Sequence, residues 1–228
     1  MGSYSGPEIN DPSLILTYDA ANTKSYPGSG TTWTNITGSG TNGTLTNSPT
    51  FSTAKGGSLV FNGTNSNIQM GNASTFVPTA AITVSVWAYS TVVGVYKKMF
   101  VTVTAGTSTI DGIYMSIGPS PYHSYFGIGT AAGGNVSAGY GTALSVNTWY
   151  NFCGTYNGTT ITYYVNGISV GTAAQSGAIK NAGVGRISGY DNNNETWSGN
   201  IANFYMWNRA LSATEVLQNY NALKWRFV

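Results

Sequence analysis

Charge is what this 228-residue chain has least of. Aspartate and glutamate number 7, lysine and arginine 9, and together charged residues make up 7% of the chain, against roughly 25% in an ordinary soluble domain. Net charge is only +2, and Lys97-Lys98 is the sole adjacent basic pair. A nucleic-acid partner needs several Lys or Arg on one face to displace counterions, so that class is excluded. Cys153 is alone, which rules out an internal disulfide and any thiolate-rich metal centre. No apolar run approaches the roughly 18 residues of a membrane-spanning helix. The opening Met1-Gly-Ser-Tyr-Ser-Gly-Pro7 has neither a basic leader nor an apolar stretch, which implies cytoplasmic synthesis without a signal peptide.

In place of charge the chain carries 30 Thr, 24 Ser, 23 Asn and 30 Gly, with 16 Tyr and 6 Trp. Beyond Met1, residues 1–12 hold one aliphatic side chain, Ile9, and read as an N-terminal arm, either a disordered leader or a segment that orders on a partner. From 13 to 228 the pattern is that of one domain, and its dominant signal is alternation with period two. In Ile82-Thr-Val-Ser-Val-Trp-Ala-Tyr89, Ile82, Val84, Val86 and Ala88 share one face, and Thr83, Ser85, Trp87 and Tyr89 share the other. Strands are also expected at 58–62, 67–70, 98–104, 113–117, 124–130, 148–156, 160–166, 168–173, 183–188 and 200–208. Asn157-Gly158 and Asn166-Gly167 supply the positive φ of tight hairpins, so three consecutive strands form a meander. Ser212-Ala-Thr-Glu215 is a capping box flanked by Leu211 and Val216, and it opens the one convincing helix. The closing Lys224-Trp-Arg-Phe-Val228 either seals the core edge or projects towards a neighbour. Many short strands and one terminal helix predict an all-β, two-sheet antiparallel jelly-roll sandwich with a short C-terminal helix.

Five segments carry a resemblance: Ser58-Leu-Val-Phe-Asn-Gly63, Ile82-Thr-Val-Ser-Val-Trp87, Asn147–Gly158, Tyr164-Val-Asn-Gly167 and Gly199–Val216. In order and spacing they resemble the laminin G-like branch of the concanavalin A-like lectin/glucanase superfamily. Leu14–Trp33 and the ending Asn219–Lys224 are similar to those of such domains in tailed-bacteriophage virion structural proteins. That resemblance implies a non-enzymatic protein of the virion surface, a multicopy capsid decoration or fibre protein. Its partners would be other virion proteins and copies of itself. The alternative is a glycan-binding adhesin that contacts host surface glycans. Where many relatives carry an acidic residue this chain has Asn65 or Ser66, and again Asn203. Both changes remove anionic oxygen that calcium favours.

The residues themselves bear on four kinds of chemistry. Glycoside hydrolysis requires paired carboxyls roughly 5–9.5 Å apart. No strand holds two acids, and Asp191 and Glu195 sit in the loop-like Asp191-Asn-Asn-Asn-Glu195. Cys153 with His123 is the remaining nucleophile pair, yet Cys153 lies in an apolar strand and nothing marks the two as neighbours. Asp191, Asn193 and Glu195 offer alternating oxygens, read as a solvated turn with a structural calcium ion as the alternative. No metal site or cofactor is assigned. Carbohydrate contact needs aromatic rings beside amides and hydroxyls, and two loops fit: Tyr122, His123 and Tyr125, and Tyr190, Asp191, Asn193 and Trp197. The seven Asn-x-Ser/Thr triplets follow from the abundance of Asn, Ser and Thr and carry no weight without a leader.

Overall fold

The computed structural model describes residues 11–38 and 40–228; the arm expected over 1–12 therefore lies outside the described residues except for Asp11 and Pro12. In chain order the strands are β1 (Leu14–Asp19), β2 (Thr32–Trp33), β3 (Gly43–Thr46), β4 (Thr50–Ser52), β5 (Ser58–Asn62), β6 (Asn67–Asn72), β7 (Ile82–Ser90), β8 (Lys97–Val103), β9 (Ile110–Ile117), β10 (Ser124–Thr130), β11 (Gly134–Tyr140), β12 (Trp149–Tyr156), β13 (Thr160–Val165), β14 (Ile168–Ala174), β15 (Val184–Ile187) and β16 (Ser198–Trp207). The helix α1 spans Ala213–Leu223.

These strands form two antiparallel sheets. The first runs β14-β13-β12-β7-β16-β5-β4, with β1 pairing β16 beyond the end of β5. The second runs β11-β10-β9-β8-β15-β6-β3-β2. Alternation decides which side chains meet between them. Ile82, Val84, Val86 and Ala88 from β7, Phe126 and Ile128 from β10, and Phe204 and Met206 from β16 share one buried core. The layers approach so closely that a Cβ on Gly154 would lie 2.0 Å from Cγ of Phe126. Asn166 and Gly167 both adopt positive φ, 51° and 77°, between paired Val165 and Ile168. That is the backbone twist a two-residue hairpin requires, and β12–β13–β14 form the expected meander.

The outer face of the first sheet is covered by the chain's own end. Ser212 accepts from the Glu215 N–H, and Glu215 reaches back to the Ser212 N–H, which completes the capping box. Leu211 and Val216 are buried against Cys153, Tyr205 and Trp207. Past α1, Phe227 stacks on Trp87 with centroids 4.2 Å apart and lies 4.8 Å from Trp149. Arg226 is anchored to Asp19 of β1 at 3.1 Å. Of the two readings of the closing residues, sealing therefore describes Phe227, while Trp225 remains 55% exposed. No helix among the described residues is long and apolar enough to cross a membrane.

Candidate functional site

Among the described residues, no helix covers the outer face of the second sheet. Its central strands send Lys98, Val101 and Val103 from β8, Tyr114 from β9, and Tyr125 from β10 to this side, and the 190–195 loop folds Tyr190 onto them. Glycine makes room for the rings: a Cβ on Gly127 would strike the Tyr114 ring at 2.0 Å, and one on Gly139 would strike Tyr122 at 2.4 Å. At the margin of this face Tyr96, Pro119, Ser120, Pro121, Tyr122, Tyr125 and Ser137 enclose an open cleft of about 220 Å³. Tyr96 and Tyr122 are about half exposed, so their faces are available from solvent.

Lys98 is the cation beneath this cleft. Only 3% of its side chain is exposed, and its Nζ lies 2.8 Å from Glu195 and 5.0, 5.6 and 6.0 Å from the ring centres of Tyr190, Tyr125 and Tyr96. A buried ammonium requires both compensations, an opposite charge and polarisable ring faces. The loop is also stitched to β8 through its backbone, since the Lys98 N–H donates to the Glu195 carbonyl at 2.8 Å and Gly189 N–H donates to the Lys98 carbonyl at 3.3 Å. Glu195 adopts φ 54°, a left-handed conformation uncommon for a side chain of its size, and the ion pair and backbone bond hold it there. Burial pushes the Tyr125 hydroxyl up to about 12 and also raises that of Tyr190, so both stay protonated hydrogen-bonding groups at neutral pH.

The two loops read from sequence as separate sites thus converge on one lysine, through Tyr125 and Tyr190. Within them the residues divide. Tyr122 and Tyr125 line the cleft. His123 closes the loop through its backbone, receiving Gly118 N–H at 3.2 Å and donating to the Tyr140 carbonyl at 2.9 Å. Tyr190 is only 8% exposed, with Lys98 over its ring. Trp197 must be corrected: it is fully buried at the foot of β16, its indole N–H directed to the Tyr89 carbonyl at 3.3 Å, and offers no face to a ligand. Tyr96, half exposed in a short Gly94-Val-Tyr-Lys97 turn, was missed; an aromatic between a glycine and the basic pair was the available signal.

Asp191, Asn193 and Glu195 are each engaged. Asp191 is ion-paired with Arg186 and accepts the Gly106 N–H. Asn193 accepts from Asn67 at 3.2 Å, and Glu195 pairs with Lys98. Three oxygens directed to three separate partners do not fit a shared calcium ion, which needs them to converge. At the two positions noted above as lacking an acid, an amide and a hydroxyl serve the backbone: Asn203 Oδ1 accepts Trp87 N–H at 3.2 Å beside the bulge in β16, and Ser66 Oγ accepts Asn62 N–H at 2.7 Å. Among the described residues no three His, Cys, Asp or Glu side chains cluster as metal ligands. Cys153 lies in the first sheet, where burial pushes its thiol up to about 12, and His123 belongs to the second.

Two antiparallel sheets packed face to face, with one short C-terminal helix, have the architecture of a concanavalin A-like domain. Residues 62–217 match the family described as the concanavalin A-like lectin/glucanases superfamily, and the chain belongs to it. No curated protein sequence matches. Among solved structures, domain 4 of AbnA, a GH43 extracellular arabinanase from Geobacillus stearothermophilus, in complex with arabinotriose, superposes with a TM-score of 0.71 at 15% identity, covering 90% of this chain and 97% of that domain. The botulinum neurotoxin serotype G binding domain gives 0.70 at 15% identity, over 91% of this chain and 50% of that one. Trypanosoma rangeli sialidase in complex with sialic acid gives 0.65 at 13% identity, over 96% and 34%. The chain therefore spans about half the length of the toxin domain and a third of the sialidase. At these identities the likeness is one of fold.

Proposed function

We propose that this chain is a glycan-binding module that recognises sugar at the tyrosine cleft without cleaving it. The observation that carries this reading is the cleft itself: Tyr96, Tyr122 and Tyr125 beside Ser120 and Ser137 combine ring faces for stacking with hydroxyls for hydrogen bonding. Two of the similar structures hold sugars, arabinotriose and sialic acid, which supports binding on this fold by analogy only. Binding rather than hydrolysis is favoured because Asp191 and Glu195 are each neutralised by a different cation, whereas hydrolysis requires one carboxyl free to give a proton and another to act as base or nucleophile.

The test is a glycan array followed by calorimetry on the full chain. Tyr122→Ala and Tyr96→Ala are expected to weaken binding at least tenfold with unchanged unfolding temperature, and Trp225→Ala, on the opposite side of the sandwich, to leave it intact. Loss of binding only in the Trp225 variant would move the site to the helix side. The virion setting suggested by Leu14–Trp33 and Asn219–Lys224 remains a proposal about where such a module is displayed, tested by mass spectrometry of purified particles.

A further inference from the structure

The charge around the cleft points to the class of sugar, on the reading that this cleft is the binding site. None of its lining residues, Tyr96, Pro119, Ser120, Pro121, Tyr122, Tyr125 and Ser137, carries a formal charge at neutral pH. Of the two lysines that follow Tyr96, Lys98 is buried behind the rings, already paired with Glu195 and faced by three tyrosines, and Lys97 directs its Nζ to the Gly63 carbonyl at 3.1 Å. Arg186, on the next strand, is held by Asp191 and by Asn67 at 2.8 Å. A carboxylate or sulfate entering the cleft would lose hydration with no cation among the lining residues to replace it, and an uncompensated charge is far costlier to desolvate than a hydroxyl.

We infer that the cleft selects electrically neutral glycans and discriminates against sialylated, uronic and sulfated ones. Hydroxyl-bearing sugar rings need only what the walls supply, apolar ring faces and neutral hydrogen-bonding groups. At about 220 Å³ the cleft is smaller than the roughly 300–1,000 Å³ of sites that enclose a drug-sized ligand. It therefore grips one or two rings of a longer chain rather than engulfing an oligosaccharide.

An array that presents neutral glycans beside their sialylated, uronic and sulfated counterparts tests this with wild type, Tyr122→Ala and Ser120→Lys. Ser120 is exposed on the cleft wall, so the lysine adds a free cation without disturbing the core. Wild type is expected to bind neutral glycans at least tenfold better than acidic ones, and Ser120→Lys to gain binding to the acidic set. Wild-type preference for acidic glycans that disappears in Tyr122→Ala would overturn the inference while leaving the cleft as the site. Binding that Tyr122→Ala does not change, or no binding at all, would overturn the site and the inference together.

Discussion

At the residue scale the account turns on Lys98. Lys98 opens the strand expected over 98–104, and the reason for its burial was invisible in the sequence: Glu195 lies far along the chain, and the three rings come from three different segments. Sequence singled out Tyr122, Tyr125 and Tyr190 because rings in loops near Asn and Ser suggest sugar. It over-read Trp197 for the same reason, since a strand start beside Asp191-Asn-Asn-Asn looks like loop until the layer above it is known. Removing the acid leaves the ammonium buried without its counter-charge. Because Glu195 is itself 29% exposed, Glu195→Gln is expected to cost about 2–3 kcal/mol, somewhat below the usual loss for a fully buried pair, read from urea midpoints. Glu195→Gln combined with Lys98→Met should recover part of that loss, because no unpaired charge remains.

At the element scale, most strands with strong apolar contrast were legible, β1 (Leu14–Asp19) being the exception absent from the strands expected above, and strands without it were not. β7, β10 and β12 announce themselves by alternating large apolar and small polar residues. β11, Gly-Asn-Val-Ser-Ala-Gly-Tyr, was missed although Val136, Ala138 and Tyr140 share the core-facing side, because a small alanine separates the two larger residues and glycine stands on both faces. β2, β3 and β4, of two to four residues, are too short to show one. The helix was legible because its cap is local chemistry. Its Glu215 is held down to about 2, from an ordinary 4.5, chiefly by hydrogen bonds from Arg209 and by the Ser212 N–H. A carboxyl depressed in the folded state stabilises fully above its unfolded value and loses that contribution as pH falls towards the folded one. The unfolding temperature is therefore expected to drop between about pH 4.5 and pH 2, and Glu215→Gln to flatten that part of the curve. A curve unchanged by the substitution would detach the capping box from acid stability.

At the scale of the whole molecule the two outer faces divide the labour. One is closed by α1 and Phe227, which stacks over Trp87 and so hides the aromatic face that alternation in β7 left unassigned. The other is left open, with rings laid flat on Gly127 and Gly139 and a neutralised lysine beneath. Sparse charge, the first feature of the sequence, has its counterpart here in a proposed binding cleft lined by uncharged groups. A nuclear magnetic resonance titration of the labelled chain with the neutral oligosaccharide that gives the strongest array signal tests this division most directly. The account predicts amide shifts concentrated at Tyr96, Gly118–Tyr125 and Ser137. Shifts confined to α1 and the outer face of the first sheet would contradict it.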